Sequence, residues 1–200
     1  VRAAGGQWRA GRVHLIALRG YDMKRQELHP TYVTSSFRDT LVVAGWQDGQ
    51  PVVREFAGST YPGQREISPD AAGIVPPDVN RDGLPDVGMI AEGVYRASPN
   101  GYFLDKPSFH MTFKGNDRIP GYRNTNQDYF YSVDEMQAAK EAGRTLGAIL
   151  LHTGVSFGGK QYVASIGCLN AEEIRRVINA LGGEQARFGI TLLNVWEAEP

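Results

Sequence analysis

A helical apolar period runs through only two short stretches of this chain, both in its C-terminal half. In residues 132–146, Met136, Ala139 and Leu146 fall on one face behind a Ser132-x-x-Glu135 capping box. In residues 170–181, Ile174, Val177, Ile178 and Leu181 share a face. Asn170 and Glu173 offer a second capping pattern there, and Gly182-Gly183 is a stop signal. The rest is short apolar or alternating runs separated by turn residues, and 24 Gly and 11 Pro supply the turns. The expected fold is mainly β: a β-sandwich or partly open barrel of seven or more strands, with two helices packed outside the sheets. Residues 12–200 are expected to form a single domain, large enough for a real core, with residues 1–11 an arm or linker.

The strand signals are spaced along the whole length. Residues 12–19 (RVHLIALR) form one run, with His14 among apolar neighbours as a structural group. Residues 40–46 and 51–56 flank Asp48-Gly49, a hairpin signal. Residues 108–113 alternate, with Phe109, Met111 and Phe113 on one face and His110 and Thr112 on the other. Residues 187–196 close the chain. His29, beside Pro30, marks a turn and is expected at the surface. Net charge is −1, with 21 basic and 22 acidic residues. That balance supplies no basic footprint for nucleic acid or an anionic membrane. No run is long and apolar enough to be a transmembrane segment. One cysteine cannot form an internal disulfide. The sequence starts at Val1 rather than Met, as expected of a processed product or a piece of a longer parent.

The chemistry concentrates in residues 148–170, AILLHTGVSFGGKQYVASIGCLN. An apolar run delivers His152 to a strand end. A loop carrying Gly154, Gly158 and Gly159 follows, then a short strand, then Ser165-Ile166-Gly167-Cys168. A helix starting directly behind Cys168 would favour its thiolate through unpaired backbone N–H groups and the positive dipole end. Gly167 allows a tight turn, and backbone amides there could hold an oxyanion. A histidine on a neighbouring strand end is a fitting base for the thiol. The bland alternative is a buried inert cysteine and a hydrogen-bonded structural histidine.

The stretch resembles the signature of the L,D-transpeptidase catalytic domain, in which a His and a small-residue loop are followed about a dozen residues later by Ser-x-Gly-Cys. The matching residues are His152, Thr153, Gly154, Ser165, Gly167, Cys168 and the polar Asn170 two positions on, with twelve residues between His152 and Ser165. Two positions depart from the pattern. Ile166 stands where the family often has His or Gln, and Asn170 stands where it often has Arg. The resemblance covers about a tenth of the chain. It implies cysteine-dependent acyl transfer on peptidoglycan stem peptides, as a transpeptidase or as a carboxypeptidase or endopeptidase, in cell-wall remodelling or as a toxin domain. It also implies a periplasmic or secreted location. In that picture Cys168 is the nucleophile, His152 the base, Ser165 or a carbonyl near Gly154 its orienter, and Gly167 an oxyanion element. Gly154 and Asn170 face substrate, and catalysis uses no cofactor; His110, placed by strand alternation, either faces the same cleft as a further substrate-side group or is a surface or hydrogen-bonded histidine.

Two further stretches resemble calcium loops. Asp78, Asn80, Asp82 and Asp86 occupy first, third, fifth and ninth positions, with Gly83 sixth, but Met89 stands where the closing Glu belongs. The same residues also make a plain Asx-rich turn. Residues 124–135 place Asn124, Asn126, Asp128, Ser132 and Glu135 on the same spacing, yet Tyr129 replaces the Gly, and Ser132 with Glu135 fits the helix cap instead. Together these stretches motivate an alternative: a non-enzymatic, calcium-stabilised β-rich binding module of the cell envelope. A papain-like protease is disfavoured, because His precedes a late Cys.

Overall fold

The computed structural model describes residues 12–29, 37–47, 49–62, 81, 83, 87–124, 132–157, 160–162 and 167–195. Fifteen strands are defined among them. They are β1 Val13–Arg19, β2 Tyr21–Asp22, β3 Glu27–Leu28, β4 Asp39–Gln47, β5 Gln50–Ser59, β6 Val87–Ile90, β7 Gly93–Phe103 and β8 Lys106–Thr112. They continue with β9 Ile119–Asn124, β10 Thr145–Leu146, β11 Leu150–Thr153, β12 Val155–Phe157, β13 Lys160–Tyr162, β14 Leu169–Ala171 and β15 Phe188–Asn194. The helices are α1, Val133–Glu141, and α2, Ile174–Leu181.

Eight strands close into a barrel in the order β1-β15-β7-β8-β11-β14-β5-β4. The mainly β class with two helices holds, and the partly open barrel expected from sequence is closed. Closure comes from the parallel pairing of β1 with β15, which joins near-terminal segments and removes both sheet edges. Alternation fills the interior: Leu15 and Ala17, Leu41 and Val43, Tyr95 and Ala97, Phe109 and Met111, Leu151, Leu169, and Ile190 and Leu192 are all buried in one apolar cluster.

The helices depart from expectation. The four apolar residues of α2 (Ile174, Val177, Ile178, Leu181) belong to the barrel cluster, and the helix touches β1, β4, β8 and β14. It therefore spans one barrel end rather than lying outside a sheet. Gly182, at φ +106, ends it as the glycine signal predicts. The Ser132–Glu135 capping box is formed, with Ser132 Oγ accepting from Glu135 N–H at 3.2 Å and Ser132 N–H donating to Glu135 Oε2 at 2.9 Å. Yet α1 ends at Glu141, so Leu146 belongs to β10 and not to the helix face. Met136 and Ala139 pack with Met89 and Tyr122 on the small sheet β10-β9-β6. Ile90, Ile119 and Leu146 join that sheet to the barrel core.

Gly58 of β5 shows how tightly β14 is held. A Cβ there would lie 2.8 Å from the Asn170 carbonyl oxygen and 2.5 Å from Leu41 Cγ. Gly58→Ala is expected to push β14 off β5 and cost about 1–3 kcal/mol. Equilibrium urea denaturation measures this, and an unchanged midpoint would contradict the packing described.

Candidate functional site

The two candidate catalytic side chains come from neighbouring strands. β11 and β14 pair in parallel, Leu151 with Leu169, His152 with Asn170 and Thr153 with Ala171. Leu151, Leu169 and Ala171 point into the barrel, so His152 and Asn170 share the opposite, outward face. Cys168 stands immediately before β14, opposite the start of β11. Leu150 N–H points at its Sγ at 3.4 Å, and the Ala148 carbonyl lies 4.0 Å from it. Ala148 is at φ +54, a costly conformation for a residue with a Cβ, directly beside the sulfur. The sulfur is turned toward the entry of β11, and Cys168 is 6% exposed.

Gly167 has φ +154, a region that favours glycine, and a Cβ there would meet the Gly88 carbonyl oxygen at 3.2 Å. The backbone conformation thus favours glycine before the cysteine, and a side chain there would also have to displace the Gly88 carbonyl by a few tenths of an ångström.

His152 is 1% exposed although it faces outward. The β7–β8 hairpin folds over it, with the Phe103 ring 4.5 Å away, centroid to centroid. Its Nδ1 is bonded to the Thr153 carbonyl. A carbonyl only accepts, so Nδ1 carries the proton and the neutral ring's lone pair sits on Nε2. The carbonyl that meets the ring is that of Thr153, the residue before Gly154. Burial lowers the His152 pKa to about 4, partly opposed by that hydrogen bond.

No family model, curated protein or solved structure matches this chain.

The remaining predicted site residues fall as follows. Helix α2 does not begin behind Cys168. β14 and a turn through Glu172 and Glu173 intervene, and Glu173 occupies the N-cap without a side-chain capping bond, its carboxylate accepting from Arg176 instead. Dipole stabilisation of the thiolate is lost with it, and Asn170 is a strand residue rather than a cap. Asn170 and Ala171 gain partners on both sides, from β11 and β5, and that pairing outcompetes a helical start. Val155–Phe157 and Lys160–Tyr162 pair antiparallel as β12 and β13, and Gly158 and Gly159 of the expected loop lie outside the described residues. Gly154 is buried between His152 and that strand pair. His110 pairs across to Leu150, one strand removed from Cys168, and its Nε2 lies 3.9 Å from Asp117 Oδ1. Ser165 and the calcium candidates Asp78, Asn80, Asp82 and Asp86 lie outside the described residues, as do residues 1–11. Among the described residues no three His, Cys, Asp or Glu side chains are grouped to hold a metal ion.

The sequence reading missed a buried polar network at the same barrel end as Cys168. Arg19 is fully buried at the end of β1. It donates to Thr60 Oγ1 (2.8 Å), to Asn194 Oδ1 (3.1 Å) and to the Ile90 carbonyl. Asp39, 1% exposed, accepts from Thr60 N–H and Thr60 O–H, both at 2.7 Å, and from Gly20 N–H at 2.8 Å. His29 is 4% exposed rather than at the surface, its Nε2 lying 3.2 Å from Asp39 Oδ1. Non-local pairing, not the local turn at Pro30, decides its position. The missed signal was phase: Arg19 continues the inward alternation of Leu15 and Ala17.

The histidine shifts carry a consequence for acid stability. His14 bonds Thr191 Oγ1 at 2.7 Å and is also lowered to about 4, chiefly by burial and then by the N-terminal charge. An unfolded imidazole takes its proton near its ordinary value of 6.5, while the folded rings stay neutral to about 4. Stability is thus complete above pH 6.5 and lost as pH falls toward 4. The His152 share is on the order of 3 kcal/mol, and that of the partly exposed His14 is smaller. Urea midpoints at pH 7 and pH 4.5 check this; equal midpoints would contradict it.

Proposed function

We propose that the chain is a cysteine acyl-transfer enzyme acting on peptidoglycan stem peptides outside the cytoplasm. The observation that carries the reading is the parallel pairing of β11 with β14. It makes the imidazole-bearing and thiol-bearing segments direct neighbours, with the imidazole neutral and oriented by the Thr153 carbonyl. The substrate class comes from the signature resemblance and the chemistry from the side chains.

In this mechanism His152 takes the thiol proton, and the sulfur electron pair attacks the carbonyl carbon preceding a D-alanine, most plainly that of a diaminopimelate–D-Ala bond. Backbone amides at Gly167 and Cys168 stabilise the oxyanion. The C–N bond breaks, the proton passes from imidazolium to the leaving amine, and a thioester remains on Cys168. A second peptide amine resolves it as a crosslink, or water resolves it as hydrolysis. Chromatography of a stem tetrapeptide incubated with the protein tests the reading: D-alanine release supports it, and an unchanged peptide opposes it.

One observation favours a second reading, a non-enzymatic β-rich binding module of the cell envelope. Cys168 is 6% exposed and belongs to the barrel's apolar cluster, as an inert core cysteine does. Iodoacetamide separates the two. Alkylation of the folded protein at neutral pH, slowed in His152→Ala, fits the enzyme, whereas alkylation only in denaturant fits the module.

A further inference from the structure

Asn170 is fully buried, and its two amide atoms are treated unequally. Nδ2 donates to the Cys168 carbonyl at 3.3 Å, whereas Oδ1 is buried with no hydrogen-bond partner among the described residues. The orientation is fixed, because turning the amide over would set Oδ1 against the Cys168 carbonyl, acceptor against acceptor. A buried acceptor left unmade is costly in a resting structure, so it points to a donor that arrives in another state of the site. Asn170 pairs in register with His152 on an adjacent parallel strand, and the two side chains share the outward face. Paired positions lie about 5 Å apart, within reach of a small ring movement. A protonated His152 carries a second ring N–H besides the one held by the Thr153 carbonyl.

We infer that Asn170 is the positioning residue of the His152–Cys168 pair, its Oδ1 accepting the ring N–H that appears when His152 is protonated and its Nδ2 holding the Cys168 backbone. The catalytic significance rests on the acyl-transfer reading; the hydrogen bond does not. The surroundings leave that acceptor little competition. β14 and β5 bring Asn170, Ala171, Gly58 and Ser59 to the ring's level. The register of β8 brings Ser108, with His110 two residues further along, and the β7–β8 turn brings Phe103, with Asp105 and Lys106 at its tip.

The test is an acid titration of labelled wild-type protein by NMR, following the His152 ring and the Asn170 side-chain carbonyl carbon together. The expected result is a carbonyl shift with the same midpoint as the ring, and in Asn170→Leu a His152 proton affinity about tenfold lower. A carbonyl signal that stays flat while the ring titrates overturns the inference. So does a ring that never titrates before acid unfolding, or a His152 midpoint unchanged in a folded Asn170→Leu. The wild-type titration decides the matter if that variant does not fold. D-alanine release, measured in parallel, keeps the two ideas separate. Coupled titration with no turnover sinks the enzyme and leaves the hydrogen bond, while turnover with a flat carbonyl signal sinks only the hydrogen bond.

Discussion

Asp39→Ala is expected to destabilise the fold by about 3–5 kcal/mol, the largest stability loss anticipated for a single substitution here. Its carboxylate accepts from Gly20 N–H, Thr60 N–H and Thr60 O–H and sits beside His29, all of them buried groups. Removing it leaves those donors in a site closed to water. It also strips the charge balance from Arg19, which reaches Asp39 through the shared Thr60 hydroxyl. Asp39→Asn keeps the shape but turns an N–H₂ toward another donor, so most of the loss should remain. The network ties the ends of β1, β4 and β5 at the barrel end where β14 begins, so loosening it also loosens the setting of Cys168. Urea denaturation at pH 7 measures the effect. A loss below about 1 kcal/mol would mean that these bonds do not hold that end together.

Cys168→Ala is expected to bring D-alanine release down to background, a fall of at least about 10⁴-fold. No other thiol exists in the chain to replace it. His152→Ala should slow release about 10²- to 10⁴-fold, the usual worth of a general base. It should also abolish rapid alkylation of Cys168 at neutral pH. Circular dichroism and the urea midpoint establish that each variant is folded, since both side chains are buried. Full turnover by Cys168→Ala would exclude the proposed chemistry.

The fold was legible wherever alternation and turn chemistry were local. Asp48-Gly49 announces the β4–β5 hairpin, Phe109 and Met111 announce the inward face of β8, and Ser132 with Glu135 announces α1. What stayed hidden depended on contacts between distant segments. Barrel closure needs β1 beside β15, which no local pattern encodes. The start of α2 was misplaced because Asn170 is a good cap in isolation, whereas in the fold Asn170 and Ala171 are claimed by two strands. Arg19 and His29 are polar residues whose burial is possible only because Asp39, Thr60 and Asn194 arrive from elsewhere in the chain. Of the candidate site, the structure places His152 on β11 and Cys168 just ahead of β14, the strand that pairs with β11 in parallel. The thiolate argument from a helix dipole was not sound, and the role inferred for Asn170 rests on its unpartnered oxygen, which no sequence pattern signals.

The most direct measurement is the intact mass of the protein after brief exposure to a stem tetrapeptide ending in D-alanine. The account predicts a covalent increase equal to the tripeptide acyl group, mapped to Cys168, with one D-alanine released per adduct. A protein of unchanged mass beside intact peptide, with Cys168 reacting with iodoacetamide only after denaturation, would contradict it.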